Sequence, residues 1–92
     1  MDKMIRRRLR FSGMVQGVGF RYRAEYAARF VGATGWVRNE YDGSVTMEIQ
    51  ATPGQIEKVI SLIKEGHFIY IDDIEGETIP NVPHETDFRV KY

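Results

Sequence analysis

Residues Gly13 to Arg21 read Gly-Met-Val-Gln-Gly-Val-Gly-Phe-Arg, a glycine-spaced loop that runs straight into a helix bearing an arginine. These residue types suit an anion. Glycines at 13, 17 and 19 let the backbone turn freely and approach a ligand closely, because no Cβ restricts φ or blocks access. A helix N-terminus leaves several N–H groups without intrahelical partners, and a Ser, Thr, Asp or Asn at the cap ordinarily satisfies one of them. None stands between Gly13 and Arg21. The donors are then free for a phosphate, favoured further by the helix dipole and by a guanidinium that binds oxyanions bidentately. Short glycine motifs are weakly specific, and a glycine-rich turn with a solvated arginine accounts for the same spacing.

The elements that must position this loop can be read from periodicity. Ile5 to Phe11 alternates as a strand, with Ile5, Leu9 and Phe11 on one face and Arg6, Arg8 and Arg10 on the other. Arg7 falls on the apolar face, where it snorkels at a strand end or marks a later start. From Arg21 to Val31 the spacing of Ala24, Ala27, Ala28 and Val31 predicts a helix, ended by Gly32 as a left-handed cap. The small alanines imply close contact between helix and sheet. Gly35 to Asn39 and Ser44 to Gln50 read as strands of a tight hairpin, since Asp42-Gly43 tolerates the positive φ of such turns. Thr52-Pro53-Gly54-Gln55 has the form of a capping box with proline at the first helical position. Ile56, Val59, Ile60 and Ile63 then continue at helical spacing up to Gly66. Phe68 to Glu75 is strand-like, although Ile74 is out of phase with Ile69 and Ile71, which predicts a bulge. After a loop at Pro80 to Pro83, alternation of Phe88, Val90 and Tyr92 gives a last half-buried strand. The order β-α-β-β-α-β predicts a ferredoxin-like α+β sandwich, an antiparallel sheet with two helices on one face.

Ninety-two residues make one domain, 1–92, with one core. The absence of cysteine excludes disulfides, thiolate metal sites and cysteine nucleophiles, and makes a reducing cytoplasm the expected location. No apolar run reaches the roughly 20 residues that span a bilayer, so no membrane partner is expected. The net charge is zero but unevenly distributed: residues 1–38 hold nine Lys/Arg against two acids, and residues 39–92 hold four against eleven. A positive field around the glycine loop would attract a small anion, provided that folding does not interleave the two halves.

The segment from Gly13 to Arg21, followed by Gly35-Trp-Val-Arg-Asn39 and Asp42-Gly-Ser-Val45, closely resembles the acylphosphatases. The likeness covers nearly the whole chain, since Gly66, Ile69, Ile71, Ile74 and the closing Phe88-Arg89-Val90 also fall where that family places its markers. It implies hydrolysis of the mixed anhydride between a carboxylate and a phosphate, without metal or organic cofactor. Carried over by motif, the catalytic residues are Arg21, which binds the phosphate, and Asn39, which positions the attacking water. The phosphate-binding loop comprises Val15, Gln16, Gly17, Val18, Gly19, Phe20 and Arg21. The expected partners are an acyl phosphate substrate and inorganic phosphate as product or inhibitor, and a monomer is expected.

Three departures from the family pattern stand out: His67 where a proline usually follows Gly66, Glu40 beside Asn39, and Arg7 at an apolar position. Neighbours on a strand point to opposite faces, so Glu40 is expected to be harmless. His67 and His84 match no motif and read as surface residues, Phe11, Phe20 and Trp36 as packing residues, and Asp72 to Glu77 as a solvated strand edge rather than a metal site. Two other readings stay open. One is an RNA-binding module, which wants aromatics on the central strands where Ser44 to Gln50 has none. The other is a non-catalytic domain that binds phosphate or carbamoyl phosphate, similar to the acylphosphatase-like domain of hydrogenase maturation factors.

Overall fold

In the computed structural model, which describes residues 3–92, β1 (Ile5–Met14) is followed by α1 (Phe20–Val31), β2 (Thr34–Asn39), β3 (Val45–Ala51), α2 (Pro53–Lys64), β4 (Tyr70–Ile79) and β5 (Phe88–Lys91). The strands form one sheet in the order β4-β1-β3-β2-β5. The first four pair antiparallel throughout, which is the ferredoxin-like arrangement. The fifth joins the outer edge of β2 in parallel, from Gly35 opposite Phe88 to Arg38 opposite Lys91. The sheet is therefore mixed where strand alternation alone predicts an antiparallel one. Its direction follows from the loop after β4, which turns the chain back across the sheet and so sends β5 the way β2 runs. That loop is fastened by Gln50, whose side chain donates to Val82 O and accepts from Val82 N at 3.0 and 2.8 Å.

Both helices cover one face. Leu9, Phe11, Val37, Val45, Met47, Ile49 and Ala51 project from the sheet into the core, and Ala24, Ala27, Ala28, Ile56, Val59 and Ile63 meet them from the helices. The three α1 alanines are wholly buried, so α1 lies close, and Gly32 ends it at φ 79° with its N–H on Ala28 O and Arg29 O. Thr52 and Gln55 form the predicted capping box on α2. The Gln55 amide also donates to Val31 O at 3.0 Å, tying the start of α2 to the end of α1. Arg7 runs along the apolar side and reaches Thr78 Oγ1 at 3.0 Å, the snorkelling geometry.

The other face of the sheet is a lattice of ions. Arg6, Arg8 and Arg10 do face away from the core, but Arg6 is only 2% exposed. It is held by Glu48 at 3.0 Å and by Glu85, from the returning loop, at 2.8 Å. Arg8 pairs with Glu48 at 2.8 Å and with Glu77 at 3.7 Å, and Arg10 with Asp42 and Glu75. Acids from the second half of the chain thus neutralise the basic first strand, so the charge asymmetry of the sequence does not survive there as a basic patch. Trp36 lies on this face too, between Arg38 and Lys91.

The ion pairs differ in worth according to burial. Breaking a buried pair strands an uncompensated charge, whereas an exposed pair contributes little. Glu48→Ala is expected to lower the unfolding free energy by about 3 kcal/mol and Glu77→Ala by no more than about 0.5 kcal/mol, measured by urea denaturation at neutral pH. Three acids on this face also titrate low. Burial pushes Glu48 up, but the hydrogen bonds and charges of Arg8 and Arg6 outweigh it and hold it below the usual carboxylate range. The Thr46 hydroxyl and then Arg38 hold Glu40 down, and the Ser44 hydroxyl and N–H bring Asp42 to about 2. Depressed carboxylates contribute stability that is present above their unfolded values and lost as pH falls through the folded ones. Urea midpoints taken across pH should therefore stay level down to about pH 5 and drop steadily below it.

Candidate active site

Gly13 marks the point where β1 leaves its regular pairing. Ser12 lies opposite Asp73 but Gly13 opposite Ile71, so Asp72 is the extra residue of a β-bulge in β4. Gly13 sits at φ 126°, and a Cβ there would lie 2.3 Å from Tyr70 O, so glycine alone fits. The extra residue also lets Ile71 and Ile74 both pack against the core, which explains the isoleucine that falls out of phase in the sequence. Past the bulge, Val15 is 1% exposed and anchors the loop in the core. Gln16 turns its amide to the β2–β3 hairpin and donates to Glu40 O at 2.7 Å and Ser44 O at 2.9 Å. Gly17 and Gly19 then take φ of 73° and 81°.

The loop delivers the chain into α1 with its first turn open. Gly19 is the cap residue, no side chain among the described residues caps the free N–H groups, and the first turn holds no acid. Those donors therefore keep their partial positive charge. Phe20 fixes the start of the helix by packing on Phe11, ring centroids 5.0 Å apart. Arg21 extends toward the end of β5, where its Nη1 contacts Lys91 O at 3.5 Å and its Cζ lies 4.9 Å from the centre of the Tyr92 ring. Asn39 closes β2 beside this helix start. Its Oδ1 is buried and finds no hydrogen-bond partner among the described residues. An unmet buried acceptor costs about 1–3 kcal/mol, which a water or a bound ligand would relieve here, as it would for Thr34 Oγ1, also without a partner among the described residues.

Val15, Gly17, Gly19, Phe20 and Arg21 line one cavity of about 150 Å³ together with Asn39. The structure so brings together five of the seven predicted loop residues and both predicted catalytic ones. Gln16 and Val18 are not in its walls: the Gln16 side chain is spent on the hairpin, and Val18 faces a neighbouring hollow. No carboxylate among the described residues lines the cradle. Glu40 points to the opposite face of the sheet, accepting from Thr46 Oγ1 at 2.6 Å and Arg38 Nη2 at 3.2 Å. A larger hollow of about 310 Å³ lies between Arg8, Arg10, Glu75 and Glu77, but its cations are already paired with acids. At the cradle, by contrast, open donors converge with no acid among the described residues beside them.

Two residues at the site escape the sequence reading. Tyr22 completes the cradle wall, and its only sequence signal is a spacing of four residues with Tyr26 and Phe30. Tyr92 reaches Arg21 across 71 positions of sequence, and only the parallel docking of β5 brings it there.

A family model described as Acylphosphatase matches residues 7–90. An acylphosphatase of Clostridium beijerinckii is 37% identical over 90 residues, covering 97% of this chain and 100% of the relative. The crystal structure of acylphosphatase from Bacillus subtilis superposes with a TM-score of 0.87 at 27% identity, over 98% of this chain and 100% of that one. The chain is also similar to part of T. kodakarensis HypF, with a TM-score of 0.79 at 26% identity, but it spans only 12% of that protein. A family match over most of the sequence, and a relative of the same extent, place this chain in the acylphosphatase family.

Proposed function

We propose that the chain, read as one domain over residues 1–92, is an acylphosphatase that hydrolyses the carboxyl–phosphate anhydride of acyl phosphates. The observation that carries this reading is the convergence of the uncapped first turn of α1, Arg21 and Asn39 Oδ1 on a cavity that, among the described residues, has no acid in its walls and no partner for that oxygen. The N–H groups of the loop and of the uncapped first turn of α1, with the Arg21 guanidinium, hold the nonbridging oxygens of the phosphoryl group. Asn39 accepts from a water through Oδ1 and donates to a phosphate oxygen through its NH₂, which aims the water along the line of the leaving carboxylate. Attack forms the new P–O bond as the bond to the acyl oxygen breaks. The acyl group departs as a carboxylate and a water proton passes to a phosphate oxygen. A carboxylate leaves without help from an acid, so the protein supplies positioning and charge stabilisation.

Inorganic phosphate is then both product and competing ligand. The cysteine-free composition suits a reducing cytoplasm, and no helix is long and apolar enough to cross a membrane among the described residues. We take the protein as a cytoplasmic monomer.

Steady-state hydrolysis of acetyl phosphate with chelator present tests the reading. Arg21→Ala and Asn39→Ala are each expected to lower kcat/KM by about 10²–10³ while leaving the urea midpoint in place. Phosphate binding by a folded parent without turnover would instead support the non-catalytic reading. Tyr92→Ala removes the ring that holds Arg21, and kcat/KM should fall by about two- to fivefold, the worth of one exposed cation–π contact. Tyr92→Phe keeps the ring and is expected to restore the parent rate.

A further inference from the structure

The cradle is too small for a whole substrate. At about 150 Å³ it lies below the roughly 300–1,000 Å³ of ordinary ligand pockets. On the acyl phosphate reading, on which this inference rests, the acyl group must leave through the mouth of the cradle. Gly19 and Tyr22 form a wall that the cradle shares with a second hollow of about 380 Å³. Tyr22 and Tyr26, one helical turn apart on α1, stand on one side of that hollow, and Phe68, from the segment before β4, also lines it. Val18 and Ile69 add apolar surface.

These three rings are exposed, at 70%, 71% and 71%, and they are grouped on one hollow rather than scattered. Grouped apolar surface left in water is unfavourable and commonly marks a binding site. One side chain in the hollow narrows the chemistry further. Arg23 lines it and is fixed through Nε to Leu62 O at 2.7 Å, which holds one cationic side chain at the hollow. Aromatic rings gain from stacking or edge contact with other rings and from a guanidinium over their face, whereas an aliphatic chain gains only from burial.

We propose that this groove is the acyl subsite and that the chain favours aryl acyl phosphates, with the ring of the acyl group lodged among Tyr22, Tyr26 and Phe68 while the phosphoryl group occupies the cradle. The groove supplies affinity and choice of substrate, and the reaction at phosphorus is unchanged.

Tyr26 and Phe68 lie outside the cradle and are exposed, so Tyr26→Ala and Phe68→Ala test the subsite without touching the phosphate site. The reading is the ratio of kcat/KM for benzoyl phosphate to that for acetyl phosphate. It is expected to fall by about fivefold in each variant, the order of one aromatic pair. A ratio unchanged in both variants would overturn the subsite, and hexanoyl phosphate turned over as well as benzoyl phosphate by the parent would overturn the aryl preference. Calorimetric binding of benzoylphosphonate against acetylphosphonate, which cannot be hydrolysed, separates this inference from the enzymatic reading. Tighter binding of the aryl compound, lost in both variants, would sustain the subsite even if the parent turned over nothing. Equal affinities would reject it.

Discussion

The Gln16 side chain holds together the two halves of the site. Its amide bonds two carbonyls of the β2–β3 hairpin, so the loop that precedes α1 and the strand that ends at Asn39 share one position. Neither would define a cradle alone. Two further anchors remove the remaining freedom of the loop: Val15 is buried in the core, and Gly13 sits against Tyr70 O at the bulge. The glycines between these anchors and the helix can then adopt left-handed backbone without being mobile. Their φ values belong to a segment fixed at both ends. A loop of this kind pays its ordering entropy on folding rather than on ligand binding.

The opposite face of the sheet supports the site from behind. Its central strand β3 is buried from both sides, by the helices below and by the long arginines of β1 above. Burial of Arg6 requires acids on β3 and in the loop before β5, so this ion network also holds the returning chain across the sheet. Apolar packing and ion pairing thus divide the two faces between them, and the loop after β4 is fastened by the second. Because that loop determines where β5 docks, the charged face is linked to the placement of Arg21 on the other side.

The sequence carries the fold wherever a signal is local. The capping box at Thr52 and Gln55, the Asp42-Gly43 turn, the α1 alanines and even the bulge, seen as a misplaced Ile74, all rest on residues a few positions apart. What is not legible depends on partners far along the chain. Strand β4 runs on to Ile79 through a stretch of acids, because Glu75 and Glu77 lie opposite Arg10 and Arg8. Alternation gives no hint of this, since the rung is polar. The burial of Arg6 is not visible in the sequence because its neutralising Glu85 is 79 residues away. The parallel direction of β5 is likewise a matter of how a loop crosses the sheet. At the site, the uncapped helix start follows from residue types alone, whereas the role proposed for Asn39 rests on the resemblance, since Asn before a hairpin is common for turn reasons.

The contact between Arg21 and Lys91 spans 70 residues, and it makes the arginine depend on the last residues of the chain. The rest of the cradle wall hangs on other supports: Val15 on the core, Gln16 on the hairpin and Gly13 on the bulge. Strand β5 is itself pinned by Phe88, which is wholly buried, but its end at Lys91 and Tyr92 is exposed. Fraying of that end would release the arginine while the loop and Asn39 stayed in place. The last two residues therefore act as a latch on one side chain rather than as a support of the fold.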